Sequence, residues 1–385
     1  MIPYARQSIV DADVAAVAEV LRSDFLTQGP AVPRFENAVA AYVGAKHAVA
    51  MTNATSALHV AMLALGVGPG DLVWTSPNSF VASANCAIYC GADVDFVDVD
   101  PRTYNLSVAV LREKLGAARA AGRVPKAVVA VDFAGQPCDF DAIGALREEY
   151  GFALVDDASH AIGAGYRGRR IGGLGDVDAT VFSFHPVKII TTAEGGMLVT
   201  ARDDLAARAR LLRSHGITRD ATAMRFASAE PWEYEMVALG FNYRLTDLQA
   251  ALGLAQLARI DAMLAARRRI ASRYDDALAG LPLTIPYRSP DAESALHLYP
   301  VVVHPDAPLD RRGVYDVLRR NGIAPNVHYI PIYLQPFYRD RGFEPGYCPV
   351  SETYYAGALS LPMYADLRED AQAHVIAVLR SALGR

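Results

Sequence analysis

Three polar segments of this sequence follow apolar runs typical of β-strands, and each carries side chains that could do chemistry. The first, residues 53–57, is a small polar turn between a strand and a helix. Free N–H groups at a helix start and the positive end of its dipole attract phosphate, and the hydroxyls of Thr55 and Ser56 could add donors. Ordinary N-capping by Asn53 or Thr55 is the alternative interpretation.

The second segment ends an apolar strand in two adjacent carboxylates, Asp156 and Asp157. Neighbouring side chains of a strand point to opposite faces, so only one of the two need reach a site. A carboxylate there could hold a cationic ring nitrogen. The alternative is an aspartate that forms a turn.

The third segment reaches Lys188 after an apolar strand and Pro186, and Glu194-Gly195-Gly196 follows. A lysine becomes a useful nucleophile when burial or a partner alters its protonation. A surface lysine is the alternative. Together the three segments supply a phosphate seat, an anion for a ring nitrogen and an amine for a Schiff base, which is what pyridoxal phosphate requires.

The elements that must position these residues alternate between strands and helices, a pattern that predicts a doubly wound, mostly parallel sheet. Strands are predicted at residues 47–51, 72–75, 94–97, 127–131, 152–155 and 180–184. In such a sheet, ligands gather at the carboxyl ends of the strands. Thr246 and Gln249 form a capping box for one long helix that runs to about residue 279 and connects two domains. We expect a large cofactor domain at 1–245 and a smaller α+β domain at 246–385.

Composition excludes several function classes. The 385 residues include 37 Lys plus Arg and 42 Asp plus Glu, a net charge of -5 that does not suggest nucleic acid as a partner. No run approaches the roughly 20 apolar residues of a membrane span, and the N-terminus lacks a signal peptide, so we expect a cytoplasmic protein and no membrane partner.

Two further patterns have structural interpretations. The four cysteines, Cys86, Cys90, Cys138 and Cys348, are too few for a disulfide framework. Cys86 and Cys90 are expected to be buried reduced thiols rather than half of a metal site, and no metal is predicted. The basic run at 267–269 is predicted to be a solvated face of the long helix.

The block Ser183-Phe184-His185-Pro186-Val187-Lys188, with residues 194–196 after it, resembles the cofactor-lysine signature of the DegT-type nucleotide-sugar aminotransferases. Similar matches occur at residues 2–4, 25–30, 133–137, 213–216, 241–247 and 328–331. The resemblance implies the fold type I of pyridoxal-phosphate transferases, which is an aspartate-aminotransferase-like α/β fold. Residues 26–30, 135–139 and 335–338 are similar to the branch of C4 transaminases in pseudaminic acid biosynthesis.

The resemblance also implies roles for individual residues. Lys188 would carry the cofactor as a Schiff base, Asp157 would face the pyridine nitrogen, and His160 would lie beside the ring. The other implied cofactor contacts are Thr55, Ser56 and Ser183 at the phosphate, Phe80 stacked on the ring, and Asn242 from the partner subunit. The implied substrate contacts are Tyr4, His185, Arg244, Tyr329 and Tyr333.

Asn242 implies a homodimer with shared active sites, although it could equally be a loop residue before the Thr246 cap. The sequence departs from the family pattern at Asp156, where Glu is usual, and at Tyr333, where many relatives carry His. Family dehydratases have His in place of the lysine, so Lys188 argues against that branch.

The implied activity is transfer of an amino group from L-glutamate to the C4 keto group of a UDP-linked 4-keto-6-deoxy-N-acetylhexosamine. A GDP- or dTDP-linked keto-sugar is the alternative substrate. A regulatory protein that binds pyridoxal phosphate without turnover, or an α/β scaffold without cofactor, are alternatives from other classes.

Overall fold

The structure is a computed structural model, and it describes residues 1–226 and 230–384. Its helices are α1 (Asp11–Leu21), α2 (Ala31–Val43), α3 (Ala54–Ala64), α4 (Ala82–Tyr89), α5 (Val108–Ala120), α6 (Phe140–Tyr150), α7 (Asp203–Arg213), α8 (Asp247–Leu257), α9 (Ile260–Leu278), α10 (Arg311–Arg320), α11 (Pro336–Arg339), α12 (Pro349–Gly357) and α13 (Glu369–Leu383). Short 3-10 turns lie at Phe133–Gly135 and Ile332–Leu334.

The strands are β1 (Ile2–Pro3), β2 (His47–Met51), β3 (Leu72–Thr75), β4 (Asp93–Phe96), β5 (Ala127–Val131), β6 (Ala153–Asp157), β7 (Gly165–Tyr166), β8 (Arg169–Arg170), β9 (Ala179–Ser183), β10 (Gly196–Thr200), β11 (Ile217–Thr218), β12 (Glu235–Met236), β13 (Leu283–Thr284), β14 (Ala292–Glu293), β15 (Tyr299–Val303), β16 (Ile323–Ala324) and β17 (Ala358–Leu361).

The large sheet has the strand order β2-β10-β9-β6-β5-β3-β4. β10 runs antiparallel to both of its neighbours, and the other pairs are parallel. The predicted doubly wound, mostly parallel sheet is therefore confirmed, with each predicted strand within one or two residues of its position. β10 was not predicted.

Helices cover both faces of this sheet, so β5, β9 and β10 are buried along their whole length. Alternate residues of one strand enter different cores, as Phe182 and Val181 do. Strands buried on both faces are nearly continuous apolar runs, which is why the polar residues at their carboxyl ends were recognisable in the sequence.

The predicted capping box is present at the start of α8: the Thr246 N–H donates to Gln249 Oε1 at 3.0 Å, and the Gln249 N–H donates to Thr246 Oγ1 at 3.3 Å. The prediction of one long helix is wrong, because α8 ends at Leu257 and α9 begins at Ile260. At the break, Arg259 leaves helical geometry and its guanidinium donates to Asp13 at 2.7 Å. That buried acceptor on α1 holds the interruption in place.

The C-terminal part packs around a small antiparallel sheet, β13-β15-β17, with α9, α10 and α13 against it. The chain's own N-terminus joins this part, because β1 pairs in parallel with β16. No helix in the described part of the chain is long and apolar enough to cross a bilayer. All four cysteines are free, and Cys86 and Cys90 are buried as predicted; Cys138 and Cys348 are buried as well.

The prediction of a solvated face at 267–269 is wrong for its first residue. Arg268 and Arg269 are exposed, but the side chain of Arg267 is only 2% exposed. Met263 and Ile270 lie one turn away on either side of Arg267 along α9 and are also buried, so Arg267 shares their core-facing stripe. The helical periodicity of the apolar residues indicates a buried position for residue 267. The charge of the arginine led instead to the prediction of an exposed one.

Candidate active site

Strand register brings the three polar segments to one edge of the large sheet. Met51, at the end of β2, pairs with Gly196 of β10, which pairs in turn with Ser183 at the end of β9. β6 runs parallel beside β9 and ends at Asp157. The turn after β2, the Lys188 loop after β9 and the carboxylate after β6 therefore lie along the same edge, as the topology of such sheets requires.

The turn after β2 caps α3, and its free N–H groups make it the candidate anion seat. Asn53 Oδ1 accepts from the Ser56 N–H at 2.8 Å, and the Ser56 hydroxyl donates back to the Asn53 carbonyl at 2.8 Å. The capping interpretation is thus confirmed for Asn53. The Ser56 hydroxyl is part of this cap, because it donates to the Asn53 carbonyl. The first-turn N–H groups of Ala54 and Thr55 have no partner within the helix, so they point outward toward an anion.

Gly196 lets this turn lie close to β10, and Gly195 makes room for Thr192 of the lysine loop. A Cβ on Gly196 would come within 2.3 Å of the Asn53 carbonyl carbon, and one on Gly195 within 2.0 Å of Thr192 Oγ1. No side chain fits at either position. Gly196 therefore has a steric role in shaping the turn after β2, and Gly195 has one in the packing of the lysine loop.

Asp157 is a buried carboxylate that receives three hydrogen bonds. The Ser83 hydroxyl donates at 2.6 Å, and Ser159 donates from its hydroxyl at 2.5 Å and from its N–H at 3.2 Å. A carboxylate only accepts, so Ser83 must donate to it and Ser79, 2.7 Å away, must donate to Ser83. These donors fix the orientation of the carboxylate.

Asp156 points to the opposite face of the strand, as alternation predicts. It is fully buried, and burial together with the charges of Asp132 and Asp157 raises its pKa well above the usual range. Only Asp157 of the pair faces the carboxyl-end edge of the sheet where Lys188 lies.

Lys188 is half-buried in the turn after β9, and its N–H donates to the His185 carbonyl at 2.9 Å. Burial lowers the pKa of its ammonium to about 8, against a smaller opposing effect of the Asp157 charge. An appreciable fraction of the side chain is then a free amine near neutral pH. That is the property expected of a nucleophile and not of a surface lysine.

Three imidazoles surround Lys188, and all three are held neutral. Burial lowers the pKa of His160, His297 and His328, and the positive charge of Lys188 lowers each of them further. For His328 the value is about 3. None of these three rings therefore adds a positive charge beside the lysine.

The tautomer of His160 follows from its partners. Its Nδ1 accepts from the Ala134 N–H at 3.2 Å, so a neutral ring carries its proton on Nε2, which lies 3.2 Å from the Tyr329 hydroxyl. Its other neighbour is the His297 ring, with centroids 4.4 Å apart. The Tyr4 ring lies 5.2 Å from that of His328, because β1 carries it onto the small domain.

The remaining predicted cofactor contacts occupy different positions. Ser183 is buried at the end of β9, and Phe80 is 58% exposed just before α4, the helix that supplies Ser83. Thr55 is half-buried in the anion seat. Asn242 is exposed.

Two of the predicted substrate contacts border the site. Arg244 forms an isolated bridge with Met51, next to the anion seat, and within the described residues its Nε has no partner. His185 is exposed beside the lysine turn, and partial burial lowers its pKa.

Tyr333 does not agree with its predicted role as a substrate contact. It is 0% exposed and packs against Phe96 in the core. Its hydroxyl donates to Glu352 and accepts from the Cys348 N–H at 3.2 Å. The phenol thus fills the core and has no face on the cleft, which removes it from the substrate contacts.

Three residues of the site were missed from the sequence: Ser83, Ser159 and His297. Ser159 could have been found, since a serine two residues after an aspartate commonly closes a turn onto it. Ser83 and His297 belong to distant segments, and no local pattern connects them with Asp157 or His160.

Comparison with known proteins agrees with this geometry. Residues 7–380 match the DegT/DnrJ/EryC1/StrS aminotransferase family. The chain is 40% identical over 383 residues to the spore coat polysaccharide biosynthesis protein SpsC of Bacillus subtilis, covering 98% of this chain and 96% of that one.

Solved structures are similar over their whole length. Helicobacter pylori PseC, an aminotransferase involved in the biosynthesis of pseudoaminic acid, superposes with a TM-score of 0.90 at 30% identity and 99% coverage of both chains. The PMP-form of Spr1654, a sugar aminotransferase from Streptococcus pneumoniae, gives a TM-score of 0.90 at 29% identity, again with 99% coverage of both.

Proposed function

Since this chain belongs to the DegT/DnrJ/EryC1/StrS aminotransferase family, we propose that it transfers an amino group from L-glutamate to the C4 keto group of a UDP-linked 4-keto-6-deoxy-N-acetylhexosamine. The coarser activity follows from the family and its structural neighbours: the protein is a pyridoxal-phosphate-dependent sugar aminotransferase.

One observation carries the assignment of the site: an amine of lowered pKa, a buried carboxylate that accepts three hydrogen bonds, and a helix start with free N–H groups lie along one edge of a sheet. Pyridoxal phosphate needs those three groups, so the residues present fit it. In the proposal, Lys188 would hold the cofactor covalently through its Nζ, Asp157 would hold the ring nitrogen, and Thr55 with its neighbouring N–H groups would hold the phosphate.

When bound, the cofactor supplies an electron sink for the carbanion formed at the donor's Cα. Lys188 Nζ, once the donor's amine has replaced it on the cofactor, would accept the proton that leaves Cα, and a base whose pKa of about 8 lies near the working pH is suited to that transfer. Asp157, oriented by Ser83 and Ser159, would hold the proton of the ring nitrogen. His160, neutral and fixed by the Ala134 N–H, orients the ring without adding charge.

We propose that the active form is a homodimer with shared sites. Asn242 is exposed, and it immediately precedes Tyr243, whose carbonyl accepts from the Thr52 N–H at 2.9 Å beside the anion seat. Large apolar side chains are exposed in the same stretch of chain: Phe226, Trp232, Tyr234, Met236 and Leu239. A second copy would cover this apolar surface and bring Asn242 to the partner's phosphate.

Mixed dimers test the shared site. Lys188→Ala and Asn242→Ala chains, each inactive alone, should regain activity when mixed, because one of the two sites then has both native residues. No recovery in a mixture that demonstrably forms heterodimers would contradict the arrangement.

A substrate panel tests the activity. UDP-, GDP- and dTDP-linked 4-keto-6-deoxy sugars, each with L-glutamate, are scored for amino-sugar product by mass spectrometry. The similarity to PseC supports the UDP-linked N-acetylated substrate. A higher kcat/KM with a GDP- or dTDP-linked sugar would replace that assignment, and undiminished turnover by Lys188→Ala would overturn the role of the lysine.

The donor half-reaction separates an enzyme from a cofactor-binding regulator. Glutamate alone should release 2-oxoglutarate in an amount equal to the sites and change the visible spectrum of the bound cofactor. A spectrum that glutamate leaves unchanged would favour the regulator.

A further inference from the structure

Arg267 is a buried cation without a carboxylate partner among the described residues. It projects from α9, its side chain is 2% exposed, and burial lowers its pKa to about 10. Its Nη1 lies within hydrogen-bond distance of three backbone carbonyls: Leu296 at 3.1 Å, His297 at 3.2 Å and Met363 at 3.1 Å. Burial removes the water that would solvate a guanidinium, so hydrogen bonds to carbonyls must offset the cost of burying its charge.

Two of these carbonyls belong to the segment that packs behind His160. The Ala295 N–H donates to the Gly135 carbonyl at 2.9 Å, and this segment carries the His297 ring, whose centroid lies 4.4 Å from that of His160. The third carbonyl belongs to Met363, which also contacts the segment of Tyr4. The Met363 N–H donates to the Tyr4 carbonyl at 2.8 Å.

The segment needs such an anchor. Leu296 has φ of 53°, a left-handed conformation that is unfavourable for a leucine. Within the described chain, His297 Nδ1 has no hydrogen-bond partner. The position of the His297 ring therefore depends on the backbone that carries it and not on a hydrogen bond through Nδ1. Arg267 binds that backbone at two carbonyls.

We propose that Arg267 is a positioning residue for the cofactor site: by holding the carbonyls of Leu296 and His297 it keeps the His297 ring against His160. The inference shares one assumption with the proposed function, namely that the cofactor binds beside His160. It extends the site to a helix that touches neither cofactor nor substrate, and it links the C-terminal part of the chain to cofactor affinity.

The test compares Arg267→Met and Arg267→Lys with Arg269→Met, an exposed arginine of the same helix. The dissociation constant of pyridoxal phosphate is measured by reconstituting the apo-protein, and stability is measured by urea unfolding. Misplacement of a supporting group costs roughly tenfold to a hundredfold, so we expect such a rise in the dissociation constant for Arg267→Met. Arg267→Lys, which keeps the charge and some donors, should show a smaller rise, and Arg269→Met none.

A double-mutant cycle with His297→Leu separates positioning from general stabilisation. If Arg267 acts through His297, then adding Arg267→Met to His297→Leu should change the dissociation constant by less than about twofold, while the urea midpoint still falls. If the Met variants do not fold, the same cycle is run with Arg267→Lys.

Two results would overturn the proposal: an unchanged dissociation constant in a less stable Arg267 variant, or full additivity in the cycle. Since no sugar is present, neither result depends on which nucleotide sugar is the substrate.

Discussion

The lowered pKa of Lys188 predicts that the apo-protein loses stability through this side chain at neutral pH. Burial takes the pKa from 10.5 in the unfolded chain to about 8 in the folded one. Each pKa unit corresponds to about 1.4 kcal/mol, so the folded state bears a penalty of up to about 3 kcal/mol for the charged lysine. Because Lys188 is only half-buried, solvent screening brings the expected value to between about 1 and 3 kcal/mol.

The sign of the pH dependence follows from proton binding. Below pH 8 the amine is protonated in both states and the whole penalty is present. Between pH 8 and 10.5 the unfolded chain holds a proton that the folded chain has released, so the free energy of unfolding rises with pH. Above 10.5 both forms are neutral and the penalty is gone.

Lys188→Met removes the amine and should therefore stabilise the apo-protein at pH 7 by about 1 to 3 kcal/mol relative to wild type. The advantage should shrink as the pH rises from 8 to 10. The assay is urea unfolding of both apo-proteins at several pH values, with Lys126→Met, at an exposed position, as the control for loss of a lysine. A difference between wild type and Lys188→Met that stays constant from pH 7 to 10 would refute the claim that burial of this amine sets its pKa.

Three further substitutions have defined outcomes. Tyr333→Phe removes one donor to the half-buried Glu352, which keeps the Gly346 N–H, and leaves the Cys348 N–H without this acceptor. It should cost roughly 0.5 to 1.5 kcal/mol in urea unfolding, while the KM for the sugar stays unchanged because the phenol does not face the cleft. Ser83→Ala removes one donor to Asp157 and should raise the dissociation constant of the cofactor roughly threefold to tenfold in reconstitution titrations, with little change in the urea midpoint. Gly196→Ala forces the backbone of the anion seat to move and should weaken cofactor binding more than Ser83→Ala in the same titration; equal or tighter binding would contradict the steric role of that glycine.

The fold could be predicted to a large extent because its signals are local. Apolar runs of strand length between helical segments identify a wound parallel sheet, and the polar residue that ends each run then lies at the ligand-binding edge. Asp157 and Lys188 were identified in this way, and the Thr246 capping box gave the start of α8. Strand direction was not available from these signals, which is why β10 was missed.

The errors share a physical cause, since each concerns a side chain whose environment comes from a distant part of the chain. Arg267 is charged, and the carbonyl of Met363 that accepts from it is 96 residues away. The break before α9 depends on Asp13, 246 residues from Arg259. Tyr333 is buried because its hydroxyl finds Glu352, 19 residues on.

The sequence by itself determined which groups are available to the chemistry: an amine, a carboxylate and a capped helix start, each placed after its strand by local patterning. The tertiary structure decided their properties. Ser83 reaches Asp157 across 74 residues, and His297 reaches His160 from a segment 137 residues further along the chain. The reason is that burial and hydrogen bonding set the charge and orientation of a side chain, and both depend on contacts that form only when remote segments pack together.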